Sequence, residues 1–162
     1  MRTFLLSFGI CFLTAAAFAE TKDITVDAGG KPALKLSIPK EAEVATKGEK
    51  TTIRTKTLRI YLWSLPDAKD VAGVVPKVGD VIKSEFVKYT VGSTDTIKVA
   101  GHEAKHLTGK GEEEDDNDPG TADVVIFTTG KQVFAACVHG ERDEAAKERP
   151  DFLKVLESAK AP

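Results

Sequence analysis

The sequence predicts an α+β fold, with helices laid against a mostly antiparallel sheet. Three observations lead there. Segments alternating between apolar and polar residues recur through most of the chain. Two nearly continuous apolar runs, DVVIF at 123–127 and QVFAACV at 132–138, are separated only by Thr128-Thr129-Gly130-Lys131. Helical periodicity is confined to residues 67–86 and 150–160.

The chain opens MRTFLLSFGICFLTAAAFAE, where Arg2 precedes an apolar run over 4–17 and Ala17-Phe18-Ala19 is a small-x-small cleavage signature. That is the layout of a secretory signal peptide, so residues 1–19 are set apart from the fold. Cys11 follows Phe8-Gly9-Ile10 and lacks the Leu and small residues of a lipid-attachment site. No later apolar run approaches the roughly 20 residues that cross a bilayer. The expectation is an exported protein, periplasmic or extracellular, with no stable membrane insertion after cleavage. Removing 19 of 162 residues leaves 143, enough for a single domain over 20–162. Losing Arg2 takes the formal charge from −2 to −3. A mildly acidic chain has no general attraction for nucleic acid or anionic lipid. Cys137 alone survives processing, which leaves no intramolecular disulfide, and inside VFAACV it reads as a small buried hydrophobe.

The elements follow in order. Ile24-Thr25-Val26-Asp27 alternates, Gly29-Gly30 punctuates, and residues 33–38 alternate again before Pro39, which predicts two short strands. TTIRTKTLRIYLWSL, residues 51–65, is the longest β-like stretch. From Leu58 onward Leu58, Ile60 and Leu62 share one face, with Arg59, Tyr61 and Trp63 on the other. Uncovered, that second face would suit a partner or a ring-stacking ligand; under a helix it is core with Arg59 at the rim, and core is the expectation. Val71, Val74, Val75, Val78, Val81, Ile82 and Phe86 then give a looser helical pattern that Pro76 and Gly79 divide into two short helices. Residues 87–91 and 96–100 look like strands joined by Gly92-Ser93-Thr94-Asp95. The two apolar runs read as a hairpin covered on both faces, with Gly130 supplying positive φ. A helix over 150–160 starts at Pro150 and points Phe152, Val155, Leu156 and Ala159 inward.

Three features could carry chemistry. The string His102-Glu103-Ala104-Lys105-His106 spells the H-E-x-x-H of zinc metallopeptidases, in which two histidines one helical turn apart hold zinc and the glutamate activates its water. On a helix four residues advance about 6 Å; on a strand they advance roughly 13 Å, too far for a common ion held at about 2 Å. Gly101, Gly109 and Gly111 confine any helix here to about two turns, and the preceding DTIKVA is a strand pattern. The histidines are therefore expected on a strand, and no metal ligand or catalytic residue is assigned. His139, Glu141 or Glu144 would be nominal third ligands in the rival reading. The acidic run over 112–118 puts Pro119 at the fifth or sixth position of a calcium loop, which fits neither register. A solvated connection is the expectation, with a divalent-ion-responsive module as alternative. No nucleophile elbow, phosphate loop or dinucleotide fingerprint occurs.

From residue 81 onward the order of elements resembles the PsbP-like family. The residues that carry this are IKVAGHEA at 97–104, containing V-x-G-x-x-A, then VVIF, TTGKQVF and the closing PDFLKVLESAK. The resemblance implies an α-β-α sandwich around a mostly antiparallel sheet, a turn within residues 99–104 and both histidines on extended backbone. It implies no shared active site, because members of this fold bind proteins or assemblies. The reading is thus an exported non-catalytic protein that binds or supports an envelope assembly, without cofactor. Its partner is an unidentified envelope protein or small ligand. The alternatives are the zinc metallopeptidase and the divalent-ion module.

Overall fold

The computed structural model describes residues 20–141 and 143–162; the expected signal peptide lies outside them. Nine strands and three α-helices make up the described chain. Strands β1 (Thr21–Ala28) and β2 (Lys31–Pro39) form an antiparallel hairpin turned by Gly29 and Gly30, at φ 58° and 72°. The other seven form one sheet in the order β3-β4-β5-β9-β8-β7-β6, antiparallel throughout. They are β3 (Glu43–Lys47), β4 (Lys50–Arg54), β5 (Arg59–Leu65), β6 (Phe86–Val99), β7 (His102–Glu113), β8 (Pro119–Thr128) and β9 (Val133–Glu141).

Strand alternation sends side chains to two cores. Ile60 and Leu62 of β5, Val125 and Phe127 of β8, and Phe134 and Ala136 of β9 face the β1–β2 hairpin and helix α3 (Glu144–Glu157). Tyr61, Trp63, Val124, Ile126, Ala135 and Cys137 face α1 (Val71–Val74) and α2 (Val78–Ile82), which contribute Val74, Val78 and Ile82. The predicted sandwich is therefore present, with a hairpin sharing one outer layer. Tyr61 and Trp63 are core and Arg59 is exposed, as expected. The central strands β8 and β9 are buried on both faces, which is why they read as unbroken apolar runs.

Four expectations are corrected in detail. The stretch over 51–65 is two strands, because Thr55 accepts from Leu58 N through its side chain at 3.0 Å and turns the chain between them. Strand β3 had no sequence signal: all five residues are exposed, so no alternation marks it. The two strands expected over 87–91 and 96–100 are one long strand that ends at Val99, since pairing with β7 carries β6 through Gly92 with irregularities beside Lys88 and Gly92. Helix α3 begins at Glu144, six residues before Pro150, which lies inside it. The missing Pro150 N–H costs an isolated helix about 3 kcal/mol. Buried Ala145 on one side and Phe152, Val155 and Leu156 on the other hold the helix to the sheet across that gap.

The segment between β5 and β6 divides at Pro76 as predicted. Asp70 caps α1 through Gly73 N at 2.7 Å, a 3₁₀ turn over Val75–Lys77 contains Pro76, and α2 follows.

Candidate functional site

The H-E-x-x-H string lies on β7. Strand β6 ends at Val99, Ala100 and Gly101 turn at φ 52° and 79°, and extended backbone resumes at His102. His102 is exposed, its ring beside Gly130 of the β8–β9 turn. His106 is buried, with Nε2 2.7 Å from Asp123 Oδ1. Glu103 pairs with Lys105 at 2.9 Å. The two imidazoles thus have different neighbours and lie about 13 Å apart along a strand. Among the described residues no group of three His, Cys, Asp or Glu side chains is placed to hold a metal. Of the nominal third ligands, His139 stacks in the core on the opposite sheet face.

His106 belongs instead to a polar triad with no local sequence signal. Asp123 on β8, its side chain 2% exposed, accepts from Arg149 Nε at 2.9 Å and Nη2 at 3.1 Å, besides meeting His106. A buried carboxylate held by a two-pronged guanidinium and an imidazole is a satisfied group, and it fastens α3 to the sheet.

A second cluster fills the other core. The Tyr61 ring stacks on His139 at 5.1 Å, His139 lies 5.4 Å from Phe86, and Phe86 meets Tyr89 edge-on at 6.1 Å. The Lys50 ammonium sits 5.7 Å from the Tyr61 ring and pairs with Glu85. Glu113 holds His139 Nδ1 at 3.3 Å. The Arg59 guanidinium donates to the Tyr61 hydroxyl at 3.4 Å, which raises the arginine's pKa; burial raises the tyrosine's. Phe86 reaches from β6 across β7 and β8 because Gly111 and Gly120 carry no side chain. A methyl group there would lie 2.5 Å and 3.1 Å from the ring. Tyr89 lies over Gly109 in the same manner. Burial pushes the Tyr89 phenol and the Cys137 thiol upward, so both are protonated packing groups rather than nucleophiles. Gly109 and Gly111, two of the glycines around the H-E-x-x-H string, are seats for aromatic rings.

The acidic run closes a hairpin. Glu112 pairs with Lys88 at 2.6 Å and Glu113 with His139, both at the end of β7. Residues 114–118 make the turn to β8, with Asn117 at φ 61° and Asp118 N donating to Asp116 Oδ1 at 3.0 Å.

What stays open is the β6 side of the molecule. Strand β6 ends the sheet, and among the described residues its outer edge has no strand partner. Residues 90–96 are exposed. Beside this edge, between β6 and the Val75–Ile82 segment, runs a groove of about 590 Å³ lined by Val75, Pro76, Val78, Val87, Tyr89, Val91 and Leu107. Lys77, Lys83 and Lys88 stand around it with Asp80. A second groove of about 530 Å³ under α1 has Asp67 and Asp70 balanced by Lys69 and Lys77.

No family model and no curated protein sequence matches the chain. Solved structures are similar in fold. Cyanobacterial PsbP (CyanoP) from Synechocystis sp. PCC 6803 is 13% identical with a TM-score of 0.56, covering 98% of this chain and 99% of that one. LpqN of Mycobacterium tuberculosis, involved in cell envelope biogenesis, is 14% identical with a TM-score of 0.46, covering 88% and 92%. PA94 of Pseudomonas aeruginosa, a protein of unknown function, is 10% identical with a TM-score of 0.49, covering 86% and 96%. Of the three, the CyanoP likeness bears on the fold. Together with the antiparallel sheet, the helices on its two faces and the turn at residues 99–104, it gives this chain the PsbP-like α+β fold.

Proposed function

We propose that the protein is an exported, non-catalytic binding protein that supports an envelope assembly, and that it meets its partner along β6. The observation that carries this is the outer edge of a 14-residue strand, which has no strand partner among the described residues. A free edge is a row of backbone donors and acceptors, and proteins that do not use one shorten or charge it. The opposite edge strand, β3, is only five residues long. By contrast, β6 pairs regularly with β7 from Ser93 to Val99, which is a template for strand addition. The groups that could do chemistry are engaged elsewhere: His106 with Asp123, His139 with Glu113, Cys137 in the core.

The test places a photo-crosslinking residue at Thr96 of β6 and, as control, at Thr46 of β3, in cells making the protein at native level. A discrete adduct at Thr96, lacking at Thr46, is expected, together with no bound zinc in purified protein. Equal labelling at both edges would refute the β6 reading. Stoichiometric zinc, lost in His102→Ala and in His106→Ala, would replace a binding protein with a hydrolase.

A further inference from the structure

We propose that the groove beside β6 takes an extended segment of the partner protein whose groove-facing side chains include both acidic and apolar residues. This rests on the β6 reading and names the chemistry of the partner.

Three features of the groove support this. The first is backbone demand. The groove runs alongside a strand edge whose outward N–H and C=O groups lack a strand partner among the described residues. A polypeptide strand answers that row in register, whereas an acyl chain or a small amphiphile leaves it unanswered. The second is apolar anchoring. Among the described residues Val91 is one of two large hydrophobic residues left widely exposed, at 42%, and it lies on the groove wall with Val75, Pro76 and Val87. Tyr89 and Leu107 line the same groove. Irregular pairing around Lys88, at φ 54°, and around Gly92 brackets Val91, and such bulges re-aim side chains at a sheet edge. A volume of about 590 Å³ accepts one or two apolar side chains of an added strand.

The third is charge. Three lysines and one aspartate line the groove in a chain of formal charge −2, so this face is positive against the sign of the whole. Lys88 already pairs with Glu112, but exposed Lys77 and Lys83 have no salt bridge among the described residues. The balanced rim of the α1 groove offers no such preference. Side chains of an added strand alternate in direction, so those facing the helices meet Val91, Lys77 and Lys83. Acidic and apolar residues taking turns along that one face, at every second position of the strand, complement the wall.

The experiment measures anisotropy of fluorescent peptides about eight residues long, in which every second residue is Thr and the positions between take Val and Glu in turn or, in the second peptide, Val and Lys in turn. Each is titrated with the mature protein, with vesicles of anionic lipid as a parallel arm. The Val-Glu peptide is expected to bind about tenfold tighter than the Val-Lys peptide. Binding should weaken with salt, and hydrogen exchange of β6 amides should slow in the complex. Lys77→Glu/Lys83→Glu, two exposed changes that leave both cores untouched, should weaken it by about tenfold. Val91→Ser should weaken it without altering the salt dependence. If the two peptides bind alike, or the charge reversal changes nothing while the Thr96 adduct persists in cells, this inference fails and the β6 reading stands. If neither peptide slows β6 exchange and the Thr96 adduct is absent, both fail. Lysine-dependent vesicle binding with no peptide binding replaces the partner strand with a membrane surface.

Discussion

Replacing Gly111 with alanine tests how the aromatic core is seated. A methyl group at this position would lie 2.5 Å from Phe86 Cε1 and 2.5 Å from the Val87 carbonyl oxygen. Carbon atoms in ordinary contact are 3.5–4.0 Å apart, so a shift of about 1 Å is needed. The ring alone cannot supply it, because Val87 O belongs to the backbone of β6 where Val87 pairs with Glu112. Overpacking of this kind costs about 1–3 kcal/mol. Driving the fully buried Phe86 ring outward adds about 1.5–3 kcal/mol of lost burial. A destabilisation of about 3 kcal/mol is expected. Gly101→Ala is the control. Its φ of 79° strains an alanine, yet no atom lies within 4 Å of the added methyl, so about 1 kcal/mol is expected. Urea unfolding followed by Trp63 reads the same core, since the chain has one tryptophan and it packs there. In a Phe86→Ala background the cost of Gly111→Ala should fall by at least about 1.5 kcal/mol, because the ring that had to move is gone. A Gly111→Ala variant no less stable than Gly101→Ala would show that the ring is not seated across β7 and β8.

Two further outcomes follow from the buried polar groups. Asp123→Asn keeps the volume but removes the charge that Arg149 and His106 share, at an expected cost of about 2 kcal/mol by urea unfolding; a loss below about 0.5 kcal/mol would mean that the triad does not fasten α3. Glu148→Gln is expected to stabilise the protein at neutral pH. Burial raises the Glu148 pKa, so the folded state binds more protons than the unfolded one between the ordinary glutamate value and the raised one. Wild-type stability therefore falls as pH rises through that window, and the glutamine variant escapes the loss. Solvent screening at a half-exposed carboxyl holds the gain to about a few tenths of a kcal/mol. Thermal melts from acid to neutral pH check it, and a gain that did not shrink on acidification would refute the assignment.

What was legible in the sequence is whatever local periodicity dictates. Alternation over Leu58, Ile60 and Leu62 against Tyr61 and Trp63 assigns two faces to β5, and the two apolar runs mark the buried middle of the sheet. Glycines flanking H-E-x-x-H, with a strand pattern before it, were enough to place the histidines on extended backbone. These follow from the fixed geometry of a strand, which each short segment carries within itself.

The rest depended on residues far apart in the chain. Strand β3 exists because β4 pairs with it, and its exposed residues leave no pattern to read. Gly92-Ser93-Thr94-Asp95 looked like a turn, but the ladder with β7 holds it in β6. Pro150 looked like a helix start, but packing on both sides of it carries α3 through. The Asp123 triad joins residues from two strands and a helix, and Phe86 finds its seat on glycines of two other strands. Sequence by itself determined which residues face inward and that the twin histidines lie on extended backbone. Tertiary structure decided which edge is left open and which charges gather beside it, because pairing order and packing are set by long-range contacts that no local pattern encodes.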